Sequence, residues 1–117
     1  MNMTVTIYHN TRCSKSRQTL QLLNDRNLNP IEVYYLETPP DYATVKELLT
    51  LLNMTPRELM RRKESIYSEL QLDNTDLDEK ALIMAMIENP ILIERPIVVT
   101  NGKARIGRPP ENILDIL

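Results

Sequence analysis

The segment YHNTRCSKSR, residues 8–17, lies between a short β-branched run and a stretch with leucines at helical spacing. The run Thr4–Ile7 predicts a strand. The stretch Ser14–Asn27 predicts a helix, because it carries Leu20, Leu22 and Leu23 with polar residues between. We therefore expect Cys13 at the point where a strand leads into the N-terminus of a helix.

Cys13 is the only cysteine of the chain. The first N–H groups of a helix have no intrahelical partner, and the helix dipole adds positive potential at that end, so a thiol there has a pKa below its free value of about 8.5. Arg12, Lys15 and Arg17 add formal positive charge. A single intracellular cysteine is often a small buried hydrophobe, but these polar and basic neighbours favour an accessible thiolate.

His9 is the only histidine. Its residue type alone is also compatible with a structural role, either hydrogen-bonded in place or closing a turn. One histidine and one cysteine are too few for a zinc site, so we expect no metal.

Bulk composition narrows the class of protein. The 117 residues, 42% of them hydrophobic, suit one domain over residues 1–117, and the net charge of −2 argues against a general nucleic-acid or anionic-membrane binder. A single cysteine suits a reducing compartment, and neither a signal peptide nor an 18-residue apolar run is visible. We expect a cytoplasmic monomer.

The remaining pattern predicts the fold class. Ile31–Leu36 reads as a second strand, which with the first strand and helix makes a parallel βαβ unit. Several helical segments follow. Then Pro96–Thr100 and Lys103–Ile106 predict two strands joined by the Asn101-Gly102 hairpin turn, with a short helix after them.

The helical segments between these strands carry recognisable start signals. They are the periodic stretch Asp41–Asn53, a helix opened by the capping box Thr55–Glu58 with Pro56 at its first position, and a helix entered at Asp76–Glu79. The whole order predicts an α/β protein: a thioredoxin-like fold with a mixed four-stranded sheet, βαβ then ββα, and a helical insertion.

Pro96 stands directly before a predicted strand. A thioredoxin-like fold places a cis proline there, facing the cysteine, although X–Pro bonds are trans far more often than cis. The sequence leaves the isomer open.

Three arginines, Arg61, Arg95 and Arg108, occur where a loop or short element meets the core. A guanidinium is a planar fork of donors that fits a tetrahedral oxyanion. Each could equally be a solvated surface charge, and spacing alone does not rank Arg61 above Arg57, Arg62 or Arg105.

The pattern His9-x3-Cys13-x3-Arg17 resembles the signature of the glutaredoxin-dependent arsenate reductases of the ArsC family. The resemblance extends over residues 4–117 and includes four further stretches, residues 35–40, 59–61, 89–93 and 95–100. The residues flanking Cys13 differ from those of the resistance-operon enzymes. The chain also ends soon after its last predicted helix, so it is most similar to the short chromosomal branch, called YfgD-like.

The resemblance implies a role for each matched residue. Cys13 would attack arsenate as the nucleophile, His9 and Arg17 would support its thiolate, and Arg61, Arg95 and Arg108 would bind the oxyanion. Glutathione would be a co-substrate and no cofactor would be bound. Glutaredoxin would resolve the mixed disulfide, leaving arsenite.

Two other functions stay open. Cys13 and Ser16 also form the Cys-x-x-Ser pattern of a monothiol glutathione-linked oxidoreductase. The family further includes Spx-type regulators that bind RNA polymerase. These usually carry Cys-x-x-Cys, so Ser16 rules out their internal disulfide.

Overall fold

The structure is a computed structural model that describes residues 4–117. Its backbone contacts divide the chain into two units, which are described separately. The first contains the described residues up to Thr38 and the segment Arg95–Leu117; the second is Pro39–Glu94. The single domain expected over residues 1–117 stays a prediction.

A mixed four-stranded sheet organises the first unit. Its strands are β1 (Thr6–Tyr8), β2 (Ile31–Val33), β3 (Ile97–Thr100) and β4 (Lys103–Ile106), and their order across the sheet is β2-β1-β3-β4. β1 is parallel to β2 and antiparallel to β3, and β3 is antiparallel to β4. The predicted α/β architecture, βαβ followed by ββα, is confirmed.

One helix packs against this sheet to close the core. Helix α1 (Ser14–Asp25) buries Leu23 completely. Leu23 belongs to one cluster with Val5, which directly precedes β1, and with side chains of β1, β3 and the C-terminal segment: Ile7, Val98, Ile113 and Ile116. The contact anchors α1 and so fixes the position of its N-terminus relative to the sheet.

The second unit is helical. It contains α2 (Tyr42–Leu52), α3 (Pro56–Leu59), α4 (Ser65–Glu69), α5 (Glu79–Glu88) and the 3₁₀ turn Pro90–Leu92. Asp41 and Asp78 accept hydrogen bonds from backbone N–H groups at the starts of α2 and α5, and the capping box opens α3 as predicted. The weak periodicity of residues 64–74 did not predict α4.

Two element predictions need correction. The second strand ends at Val33 instead of Leu36, because the Tyr34 carbonyl accepts hydrogen bonds from the N–H groups of Glu37 and Thr38 and turns the chain. The last helix is a 3₁₀ helix, Pro110–Ile116, in which the Leu117 N–H reaches back only to the Leu114 carbonyl.

The hairpin turn is as predicted, since Asn101 and Gly102 both have positive φ, 54° and 69°. The peptide bond between Arg95 and Pro96, left open by the sequence, is cis. The bond between Arg108 and Pro109 is also cis, and no sequence feature had indicated it.

Gly107 is a point of close approach between the end of β4 and helix α1. A Cβ atom at this position would overlap the Thr19 Oγ1 and lie 2.9 Å from the Pro96 Cγ. Thr19 is fully buried in α1. Only glycine therefore lets the chain pass between α1 and Pro96 on its way to Arg108.

We predict that Gly107→Ala lowers the free energy of unfolding by about 1–3 kcal/mol, the usual cost of overpacking. Urea denaturation measures the change. Adding Thr19→Ala should recover part of the loss, because it removes the atom nearest the new methyl group.

Gly102→Ala serves as the matched control. It should also destabilise, through its left-handed backbone alone, since no atom lies within 4 Å of the place that its methyl group would occupy. Thr19→Ala should not rescue it. If the losses of unfolding free energy caused by Gly107→Ala and by Thr19→Ala simply add up in the double variant, the close-approach explanation is contradicted.

Candidate active site

Cys13 is the N-cap residue of α1, where the sequence places it. Its N–H donates to the Asn10 carbonyl at 3.0 Å, and its own carbonyl accepts from the Arg17 N–H at 3.0 Å. The residue is 8% exposed, so the expectation of an accessible side chain is wrong. The Arg108 guanidinium, from a distant part of the chain, lies against the sulfur and contributes to this burial.

The pKa of the Cys13 thiol lies below its ordinary value. Burial alone raises the pKa. The backbone N–H of Ser16, the hydrogen bond and charge of Arg95, and the charge of Arg108 lower it by more. These groups favour the thiolate, which is the nucleophilic form.

Arg95 and Arg108 are linked to each other as well as to the sulfur. The Arg108 Nη2 lies 3.5 Å from the Cys13 Sγ, and its Nε donates to the Arg95 carbonyl at 2.8 Å. Asn112 donates to the Arg108 carbonyl at 2.9 Å. The loop after β4 therefore places the Arg108 guanidinium at the thiol. The hydrogen bond to the Arg95 carbonyl ties this loop to the segment that carries Arg95.

His9 is 4% exposed and reaches α1 through Ser16. Its Nδ1 lies 2.6 Å from the Ser16 Oγ, and the Asn10 N–H donates to the same oxygen at 3.0 Å. Burial lowers the pKa of His9, Glu32 raises it and Arg17 lowers it, and the net shift is downward. The shift favours the neutral ring, in which Nδ1 can accept a hydrogen bond from the Ser16 hydroxyl.

Arg17 supports the loop next to Cys13. Its Nη1 donates to the Thr11 carbonyl at 2.9 Å. This contact fixes the chain two residues before the nucleophile. The structure thus brings together five of the six predicted site residues around one helix N-terminus: Cys13, His9, Arg17, Arg95 and Arg108.

Arg61, the sixth, belongs to the second unit. Its Nε donates to Glu64 at 3.1 Å and its Nη1 to Glu94 at 2.9 Å, with each of the three side chains about three-quarters buried. Burial lowers the pKa of Arg61, and the two carboxylates raise it by more. Its role as an oxyanion ligand stays a prediction.

The arginines that the sequence could not separate from Arg61 have different surroundings. Arg57 joins its helix to the segment after α4, since its guanidinium donates to the carbonyls of Leu72 and Asn74 at 2.9 and 2.7 Å. Arg62 and Arg105 are exposed, and each donates a hydrogen bond to a backbone carbonyl close in sequence, that of Arg57 and of Ala104 respectively.

Ser16 and Asn10 are the site residues that sequence reasoning missed. The sequence indicated Ser16 only as the last residue of a Cys-x-x-Ser pattern. In the structure it is fully buried and joins His9, the loop backbone and the thiol. Its place in the first turn of the helix, where hydroxyl side chains bind backbone N–H groups, was the available signal.

Membrane spans and metal clusters are both absent from residues 4–117. No helix there combines the length and apolarity needed to cross a bilayer. No group of three or more histidine, cysteine, aspartate or glutamate side chains in this range is arranged to hold a metal ion.

Comparison with known proteins extends over nearly the whole chain. The sequence model of the ArsC family matches residues 8–116. The protein YfgD of Escherichia coli K12 is 59% identical over 118 aligned positions, covering 100% of this chain and 99% of YfgD. An arsenate reductase of Neisseria meningitidis serogroup A is 48% identical, covering 97% of each chain.

A solved structure agrees closely with this one. The arsenate reductase from Vibrio cholerae is 51% identical, covers 100% of both chains and superposes with a TM-score of 0.97. The predicted thioredoxin-like fold is confirmed by this likeness together with the sheet topology.

We predict that iodoacetamide alkylates Cys13 with a pH midpoint below the free-thiol value of about 8.5. Arg95→Ala and Arg108→Ala should each move the midpoint upward, because each removes positive charge beside the sulfur. Arg105→Ala, on an exposed strand position, should leave it unchanged. A wild-type midpoint at or above the free value would contradict an activated thiolate.

Proposed function

The chain belongs to the ArsC family, and from that premise we propose that it is a glutathione- and glutaredoxin-dependent arsenate reductase. One observation carries the proposal most directly. The Cys13 sulfur lies at a helix N-terminus, 3.5 Å from the Arg108 Nη2, with Arg95 also lowering its pKa. A nucleophile and guanidinium donors for an oxyanion thus share one place in the fold.

The first step would be attack on arsenic by the Cys13 thiolate. A sulfur–arsenic bond forms and an arsenic–oxygen bond breaks, and the oxygen leaves as hydroxide, which takes a proton to become water. The negative charge on the arsenate oxygens would be stabilised by Arg95 and Arg108 and by the backbone N–H groups that open α1. Thiolate and oxyanion would then be favoured by the same positive potential.

The second step would be reduction by glutathione. Its sulfur attacks the Cys13 sulfur, a disulfide bond forms, and the sulfur–arsenic bond breaks with its electron pair moving to arsenic. Arsenic(V) becomes arsenic(III), each sulfur is oxidised by one electron, and the glutathione thiol proton passes to an arsenic oxygen of the departing arsenite. Cys13 is the only cysteine, so an external thiol protein, glutaredoxin, would release it from the mixed disulfide.

The other matched residues would act around these steps. His9, neutral and hydrogen-bonded to Ser16, would hold the first turn of α1 so that the Ser16 N–H faces the sulfur. Arg17 would fix the loop through the Thr11 carbonyl. Arg61, oriented by Glu64 and Glu94, would be the third oxyanion ligand. No bound cofactor is needed, and a cytoplasmic monomer in a reducing compartment would suit this chemistry.

A monothiol oxidoreductase is the competing function, and the Ser16 N–H beside a low-pKa Cys13 favours it as well. Simple thiol–disulfide exchange makes no use of an oxyanion site. The guanidiniums of Arg95 and Arg108 therefore distinguish the two functions.

We predict that Arg95→Ala and Arg108→Ala each lower kcat/KM for arsenate about ten-fold or more, because a charge-assisted contact is worth roughly 1.5–3 kcal/mol. Arg→Lys should restore only part of the activity, since an ammonium is not a planar fork. The assay is arsenite formation with excess glutathione and glutaredoxin. Arg61→Ala, paired with Arg61→Lys, tests the third position in the same way.

Arg62→Ala and Arg105→Ala are the controls and should stay near wild type. Thiol exchange with a small disulfide is measured alongside. Full arsenate activity in the Arg95 and Arg108 variants would contradict the proposed oxyanion site. Thiol exchange without arsenate reduction in the wild type would favour the monothiol oxidoreductase.

A further inference from the structure

Asn10 is a buried polar residue at the start of the loop that leads into Cys13. It is 6% exposed, whereas asparagine lies mostly at the surface of proteins. A buried amide has to be hydrogen-bonded to offset the loss of its contacts with water. The partners of Asn10 therefore indicate which part of the molecule it holds.

Three groups of Asn10 bind three different residues around the sulfur. The side-chain Oδ1 accepts the Arg12 N–H at 2.9 Å, and the main-chain carbonyl accepts the Cys13 N–H at 3.0 Å. The main-chain N–H donates to the Ser16 Oγ at 3.0 Å. The first two bonds close a turn over residues 10–13, in which asparagine is favoured at the first position. The third attaches that turn to the first turn of α1.

We propose that Asn10 is a positioning residue for the reaction of Cys13, and that its side-chain oxygen fixes the turn that holds the sulfur at the start of α1. The inference rests on the proposed function, because that reaction requires a thiolate in a fixed orientation. Asn10 acts through the turn and does not have to touch the oxyanion. Its side-chain oxygen is the group under test, since the two main-chain bonds are available to any residue other than proline at this position.

The turn determines which backbone donors are directed at the sulfur. Asn10 binds the last two N–H groups before the helix, and the helical ladder begins with the Arg17 N–H, which donates to the Cys13 carbonyl at 3.0 Å. The N–H groups of residues 14–16 lie between these two sets. The N–H of Ser16 is hydrogen-bonded to the sulfur. A loosened turn would therefore move the sulfur relative to its backbone donors, while the two arginines on the other segment stayed in place.

A matching turn in the second unit supplies the control. Asn74 accepts the Asp76 N–H at 2.9 Å through its Oδ1, and the Leu77 N–H at 3.2 Å through its carbonyl. It is exposed, unlike Asn10. Neither asparagine has a positive φ. Replacement by alanine therefore removes the side-chain acceptor from each turn without straining the backbone.

The first test is the titration of the thiol, followed by iodoacetamide alkylation. Asn10→Ala should raise the pH midpoint by roughly 0.5–1 pH unit, because the thiolate loses the equivalent of one hydrogen bond. Asn10→Ser should fall between Asn10→Ala and the wild type, since a hydroxyl makes the same contact more weakly. Asn74→Ala should leave the midpoint unchanged. A wild-type midpoint in Asn10→Ala, or no recovery in Asn10→Ser, would overturn the inference.

The second test separates positioning from folding. Asn10→Ala should lower kcat about five- to ten-fold, the effect of one lost hydrogen bond, and change KM for arsenate by less than about two-fold, because the arginines proposed to bind it are unaltered. Asn74→Ala should change neither constant. Urea denaturation measures the stability of both variants. An Asn10→Ala protein that loses stability but keeps the wild-type kcat and thiol midpoint would show a purely structural residue and overturn the inference.

Asn10→Ser carries both tests if Asn10→Ala does not fold. It should then have a raised thiol midpoint and a lowered kcat relative to the wild type, because its hydroxyl is the weaker acceptor. Wild-type values of both would contradict the role of the Asn10 side chain.

These results are distinguishable from failure of the proposed function. Alkylation needs no arsenate, so a raised midpoint in Asn10→Ala of a protein that does not reduce arsenate would retain the positioning of the thiol and remove only the substrate. Arsenate reduction by a protein whose Asn10→Ala variant keeps the wild-type thiol midpoint and kcat would do the reverse.

Discussion

The hydroxyl of Ser16 is the contact on which the reactive end of helix α1 depends. It lies 2.6 Å from the His9 ring and accepts the Asn10 N–H, so the end of β1, the loop and the helix meet at one buried oxygen. The backbone of the same residue lowers the pKa of Cys13. Without this junction, the loop of residues 9–13 would lose the support that directs the sulfur toward the arginines.

The charge around Cys13 is opposite in sign to the net charge of the chain. The chain carries a net charge of −2, yet Arg95 and Arg108 converge on one thiol. Their convergence is produced by backbone geometry: Arg108 binds the Arg95 carbonyl, and Gly107 lets the preceding chain pass close to Thr19. A local positive site within an acidic protein would favour a small anion over a polyanion, as the proposed oxyanion substrate requires.

The parts of this fold that the sequence predicts are those controlled by local chemistry. The capping box at Thr55, the hairpin at Asn101-Gly102 and the helix start at Cys13 depend on residues within a few positions of one another. The contacts missed are between distant segments. The Ser16–His9 hydrogen bond and the close approach of Gly107 to Thr19 leave no periodic trace, and the burial of Cys13 depends on Arg108, 95 residues away along the chain.

Arg61 is a further residue whose contacts the sequence did not predict. Its resemblance to an oxyanion ligand came from a short matching segment, whereas its pairing with Glu64 and Glu94 depends on the packing of the second unit. An arginine paired with two carboxylates keeps its charge and a fixed orientation, but the carboxylates reduce the positive potential around it. Specificity for the oxyanion would then depend on geometry more than on total charge.

The central claim is that Cys13 carries arsenic before it carries glutathione. Mass spectrometry of protein quenched after mixing with arsenate and glutathione, with glutaredoxin left out, tests it most directly. We expect a glutathione adduct on Cys13 that accumulates only when arsenate is present and is absent from Cys13→Ser. An adduct that forms from reduced glutathione equally well without arsenate, or none at all while arsenite is released, would contradict the claim.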